Sequence, residues 1–208
     1  MKVVKQLLLA FFVLLLSSDI RNTLVSLILG NSIENLSQMT LGQGILLILL
    51  FSTLFLILLF IGRKGQWLNW DDSLFSKENV KWLIYTICGA SLAYASFIFI
   101  FHDSQEVLPL NSIDFWLGIG SMILIAPMAE EMVFRGILPK VIFSQHLKLS
   151  LLITGFLFIL PHYPDSLVSW LDYGISALLL SYLYYKTRRV ELTIILHIFM
   201  NALVIIFG

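Results

Sequence analysis

A chain of 208 residues that is 59% apolar and 12% charged, with a mean hydropathy of +0.92, carries about half the charge of an ordinary soluble domain, where about 25% is usual. That composition excludes a water-soluble globule, and a formal net charge of +0 leaves no basic face for nucleic acid. The single cysteine, Cys88, excludes an internal disulfide and reads as a small apolar helix residue.

Stretches of about 20 apolar residues, enough at a 1.5 Å rise to cross roughly 30 Å of hydrocarbon, recur along the chain. The expectation is all-α: a polytopic integral membrane helix bundle of about seven transmembrane helices, one membrane domain over residues 1–208. The first stretch, roughly 5–29, is interrupted by Ser17, Ser18, Asp19, Arg21 and Asn22, which also allows a short helix over 5–17 followed by an outer loop. Lys2, Lys5 and the run from Leu7 to Leu16 resemble a signal peptide, but the small-x-small cleavage pattern is poor and an uncleaved helix is preferred. A second stretch covers about 41–62. The polar segment from Gly62 to Lys81, with Trp67, Trp70, Asp71 and Asp72, then reads as an inner loop anchored at the interface by its aromatics. The remaining stretches fall at about 81–101, 113–143, 147–162, 166–185 and 190–207.

Lysine and arginine concentrate in cytoplasmic connections. With the N-terminus inside, every basic residue except Arg21 falls on the inner side. The connection from His102 to Ser112 carries Asp103 and Glu106 with no positive charge, as an outer loop should. Seven spans place Gly208 outside.

Glu130, Glu131 and Arg135 lie inside the fourth apolar stretch. A charge at the centre of a membrane helix costs about 2.5–3.5 kcal/mol on insertion scales, so these residues need partners or a chemical purpose. Residues four apart stack on one helix face, which pairs Glu131 with Arg135 as an ion pair locking the helix into the bundle. Glu130 points about 100° away and has no basic partner within a turn. His162 ends the fifth stretch, and His197 and Asn201 share a face of the last. If the fourth and fifth helices form a hairpin turning near His146, Glu130 lies 16 residues before the turn and His162 lies 16 after it, at equal depth. A glutamate, two histidines and an asparagine meeting there supply a general base, a second acid/base group and donors for an oxyanion, the parts needed to hydrolyse a peptide with water. His102 and His146 sit in expected loops on opposite sides and take no part.

The run from Pro127 to Gly136 containing Glu130-Glu131-xxx-Arg135, followed by Phe158-xxx-His162 and His197-xxx-Asn201, resembles the three ordered motifs of the CPBP family. These are the CAAX prenyl protease and bacteriocin-processing (Abi) intramembrane proteases, and the resemblance covers roughly 113–205, the expected catalytic core. It implies an endopeptidase in which Glu130, aided by His162, activates water while His197 and Asn201 steady the oxyanion. Glu131, Arg135 and Phe158 support them. Ile159 departs from the small residue often found after that phenylalanine, and Pro161 perturbs the helix before His162.

The family is often labelled metalloprotease. There is no HExxH, and a divalent metal such as zinc on Glu130, His162 and His197 is chemically feasible without being required. The expected partners are a peptide or membrane-protein substrate and the lipid bilayer, with no nucleic acid, in a multi-pass protein of a bacterial plasma membrane. Bacteriocin or signalling-peptide processing, self-immunity and CAAX-type processing all fit the resemblance. A non-cleaving binding or immunity protein that sequesters a peptide is the alternative. A proton-coupled transporter is disfavoured by the lack of an inverted repeat. Access for water and substrate is expected from the cytoplasmic side, marked by Lys140, Lys148, Arg188 and Arg189, or laterally from the inner leaflet.

Overall fold

The fold is seen in a computed structural model that describes residues 2–30, 38–101, 116–117 and 119–207. The start of the fourth stretch, the acidic connection with His102, Asp103 and Glu106, and Gly208 lie outside the described residues.

The first apolar stretch is one continuous helix rather than a short helix and a loop. α1 (Lys2–Leu15) runs through a π turn (Leu16–Ile20) into α2 (Arg21–Leu29). The polar residues that suggested a break are absorbed locally: Ser17 and Ser18 both donate to the Leu14 carbonyl, at 2.9 and 2.8 Å. A hydroxyl that bonds back to the preceding turn satisfies itself without ending a helix. α3 (Leu41–Lys64) opens with a reciprocal cap between Thr40 and Gln43. Next come α4 (Lys77–Phe101), a helical stretch over 119–141, α7 (Leu147–Ile159), α8 (Leu167–Thr187) and α9 (Val190–Phe207).

Five helical segments are long and apolar enough to cross a membrane: Val3–Leu29, Leu41–Lys64, Lys77–Ile100, Leu167–Thr187 and Val190–Phe207. The helix Leu147–His162 is apolar but shorter. The stretch over 119–141 is helical throughout but of mixed pitch. Leu8, Phe11, Ile48, Leu92 and Phe99 are each more than half exposed, as suits side chains whose solvent is lipid. The protein is thus a polytopic integral membrane helix bundle.

Two prolines set that mixed pitch. A π turn (Gly120–Ile125) precedes α5 (Ala126–Glu131), and a second π turn (Met132–Ile137) precedes α6 (Leu138–Val141). Pro127 and Pro139 stand in the second position of α5 and α6 respectively. A proline ring inside a helix collides with the carbonyl four residues back, and widening the preceding turn relieves the contact. α1 packs on the second π turn and on α6, while α9 packs on the first π turn and on α5. α8 sits among α4, α7 and α9.

The segment between α3 and α4 is not an interfacial strap. Trp67, Leu68 and Leu74 are buried in the main core, and only Trp70 of the two expected anchors is exposed. The tuck depends on two glycines. A Cβ on Gly62 would sit 2.4 Å from Leu68, and one on Gly136 would press on Trp67 at 3.2 Å. Arg189 clasps the same segment from the α8–α9 turn, donating to the Asn69 carbonyl at 2.9 Å and to Asp71 at 2.7 Å, and Glu191 accepts from the Asn69 N–H.

Candidate active site

Each charged residue of the fourth stretch has a separate place. Glu131 and Arg135 are fully buried, and the Arg135 Nη1 donates to Glu131 Oε1 at 2.9 Å. The guanidinium also donates to the Ala177 carbonyl at 3.2 Å and lies over the Phe158 ring, 4.7 Å from its centroid. Phe158 itself is 2% exposed. Its ring touches both histidines, with centroids 4.8 Å from His162 and 5.6 Å from His197. One phenylalanine therefore floors the ion pair and both imidazoles.

Glu131 does more than pair with Arg135. The same Oε1 lies 3.0 Å from His197 Nδ1. A carboxylate accepts, so the imidazole donates from Nδ1 and turns Nε2 into the bundle. His162 is fixed in the same way by a different partner. Its Nδ1 is 2.9 Å from the Phe158 carbonyl, which also only accepts. Pro161 tightens the end of α7 into a 3₁₀ turn (Leu160–His162) closed by Tyr163 in the left-handed region, φ 48°, and that turn brings the ring round to the Phe158 carbonyl.

The two Nε2 atoms converge on Glu130. Its Oε2 lies 3.8 Å from His197 Nε2 and 4.0 Å from His162 Nε2, and that oxygen is buried with no hydrogen-bond partner among the described residues. Asn201 completes the group by donating from Nδ2 to the Met122 carbonyl at 2.7 Å. The sequence explains why this carbonyl is free. In the π turn the Ala126 N–H bonds to Ser121, so the next donor in register for Met122 would be residue 127, a proline without an N–H.

These side chains surround a cavity of about 280 Å³ lined by Glu130, His162, His197 and Asn201 together with Tyr94, Asp172 and Tyr173. His146, exposed at the α6–α7 turn, is outside it. No group of three or more His, Cys, Asp or Glu among the described residues is spaced to hold a metal ion. Tetrahedral ligands about 2.0–2.1 Å from zinc stand about 3.3 Å apart, closer than Glu130 stands to either histidine. As placed, Glu130, His162 and His197 are not drawn together into a zinc ligand set.

The cavity lies away from the basic connections expected to mark the route of access. It touches α4 at Ala90 and Tyr94, α8 from Asp172 to Leu179 and α9 from His197 to Val204. On each helix this is the half remote from the basic connections. A second cavity of about 360 Å³ shares Tyr94, His162, Asp172, Tyr173 and Val204 with it and reaches the exposed residues Tyr163, Asp165 and Ser166. Sixteen residues beyond a turn is about 24 Å, nearly a full span, so His162 belongs to the far end. Sequence reasoning also missed the Glu131–His197 bond, the Tyr173 ring on His162 at 4.5 Å and Asp172. The last had a readable signal, a lone carboxylate in an apolar span.

Residues 112–203 match the family model for Rce1-like, type II CAAX prenyl endopeptidases. The chain is also 32% identical over 100 residues to UPF0177 protein YvdC of Lactococcus lactis subsp. lactis (strain IL1403), an alignment covering 48% of this chain and 36% of that protein. The chain thus spans little more than a third of that relative's length. No solved structure matches.

Proposed function

We propose, from the match of residues 112–203 to the Rce1-like model of type II CAAX prenyl endopeptidases, that this protein is an intramembrane endopeptidase of that kind which hydrolyses a membrane-associated or leader-type peptide. The observation that carries the reading is Glu130 Oε2, buried and without a partner among the described residues, with two imidazole Nε2 atoms at 3.8 and 4.0 Å. Each imidazole is held by its own Nδ1 acceptor. Gaps of that length are too wide for direct hydrogen bonds and suit an intervening water.

Glu130 takes a proton from that water as its oxygen attacks the scissile carbonyl carbon, while His162 Nε2 accepts the water's other hydrogen and aims it. The oxyanion that forms is met by the second N–H of the Asn201 amide, whose first is committed to Met122, and by His197, whose ring Glu131 holds through Nδ1. The proton on Glu130 then passes to the leaving nitrogen as the C–N bond breaks, giving one carboxylate product and one amine. Arg135 pairs with Glu131 and reacts with nothing.

The bacterial source of the similar protein supports a bacterial plasma membrane as the setting. Replacing Glu130 by Gln preserves shape and removes the base, so peptide cleavage by the purified protein should fall at least about a hundredfold with its thermal transition unchanged. Full cleavage by that variant overturns the mechanism.

A further inference from the structure

The second residue pair of interest in the cavity wall is Asp172 and its neighbour Tyr173, near the N-terminal end of α8. Asp172 is only partly buried, lines both cavities and makes no hydrogen bond or ion pair among the described residues. Neither cavity has a lysine or arginine among its described lining residues. Arg21 bonds Ser121 and Asn22 and lines neither cavity. Among the described lining residues the His162 imidazole is the basic group that shares both cavities with Asp172. An intramembrane carboxylate with no lysine or arginine beside it is costly to keep, and here it stands where the exposed 163–166 segment meets the catalytic cavity.

The faces around it are aromatic. Tyr94 and Tyr173 line both cavities with Asp172. A carboxylate beside aromatic rings is a receptor for an alkylammonium or guanidinium group, which gains a charge-assisted hydrogen bond and a cation–π contact together. Resting on the peptidase reading, we infer that Asp172, with Tyr94 and Tyr173, forms a specificity subsite that takes a lysine or arginine side chain of the substrate. Asp172 and Glu130 line one cavity of about 280 Å³, so the cationic residue is taken up close to the cleaved bond. A carboxylate that merely faces the α8 N-terminus would stabilise the helix without discriminating among substrates.

The test uses the full chain in detergent micelles with quenched-fluorescent decapeptides in which each position in turn is lysine, norleucine or glutamate. Cleavage by the unaltered protein should favour lysine over norleucine at least about tenfold in kcat/KM at one position close to the cleaved bond, chiefly through KM. Asp172→Asn should abolish that preference, and Asp172→Lys should move it to glutamate. Cleavage without a cation preference, or a preference that survives in Asp172→Asn, overturns the subsite. If no peptide is cleaved, the peptidase reading fails, and photo-crosslinking of the lysine and norleucine peptides to the Glu130→Gln variant decides the subsite alone. Stronger capture of the lysine peptide that vanishes on adding Asp172→Asn supports it, and equal capture overturns it.

Discussion

At the scale of single residues, Glu131 is a hub rather than a lock. One carboxylate oxygen holds both Arg135 at 2.9 Å and His197 at 3.0 Å, so its loss has two separable consequences. Glu131→Gln leaves a fully buried guanidinium uncompensated, and breaking a buried pair in this way costs about 3–5 kcal/mol. It should lower the thermal transition and the folded yield. The double variant Glu131→Leu with Arg135→Met removes both charges and should regain most of that stability, since apolar replacements of buried pairs are often neutral or better. Its peptide turnover should nevertheless stay depressed at least about tenfold, because His197 has lost the acceptor that sets its tautomer. Turnover restored along with the thermal transition would show that Glu131 serves packing alone.

At the scale of elements, the π turns are where proline placement becomes site geometry. Pro127 frees the Met122 carbonyl, and Asn201 binds it at 2.7 Å. Pro127→Ala supplies the missing N–H and removes a residue that costs about 3 kcal/mol in a regular helix. The thermal transition should hold or rise, while activity falls about tenfold as a backbone donor competes with Asn201 for its anchor. A variant as active as the parent would separate the π turn from the site. The clasp on the segment between α3 and α4 makes a second prediction, in pH. Hydrogen bonds from Arg189, then Ser73, draw Asp71 down to about 2, below its ordinary value in an unfolded chain of about 3.9. A carboxyl depressed on folding contributes stability above the unfolded value and loses it as pH falls through the folded one. Asp71→Asn should therefore differ from the parent in thermal transition at pH 7, with the difference closing between about pH 4 and 2. A difference that persists unchanged at pH 2 would remove Asp71 from the clasp.

At the scale of the whole molecule, charge bias and cavity position oppose each other. Lys148, Arg188 and their neighbours mark the inner face, whereas the cavities open toward Tyr163, Asp165 and Ser166 at the other ends of the helices. With the basic connections inside, the mouth faces out. In a Cys88→Ser background, a cysteine replacing Asp165 should react with a membrane-impermeant thiol reagent in intact cells. Cysteines replacing Lys148 or Arg188 should react only once the inside is opened. The reverse pattern inverts the protein and turns the mouth to the cytoplasm.

The sequence by itself determined the solvent, the helix class and the identity of the charged set. Hydropathy and the 3.6-residue repeat are properties of local chain, and an i to i+4 spacing brings Glu131 to Arg135 whatever else the bundle does. It also carried the three ordered motifs that the family match over 112–203 supports. Only the tertiary structure decided which groups share an atom. That Glu131 reaches His197 66 residues away, that a proline leaves Met122 for Asn201, and that Trp67 is core rather than anchor depend on helix rotation and pitch. Turns widened by proline change both, and a periodic pattern read at 100° per residue does not register them. The direction of the mouth was undetermined for the same reason. Path length along a hairpin sets depth, but which ends of the helices splay to leave a cavity is settled by how the packed helix surfaces meet.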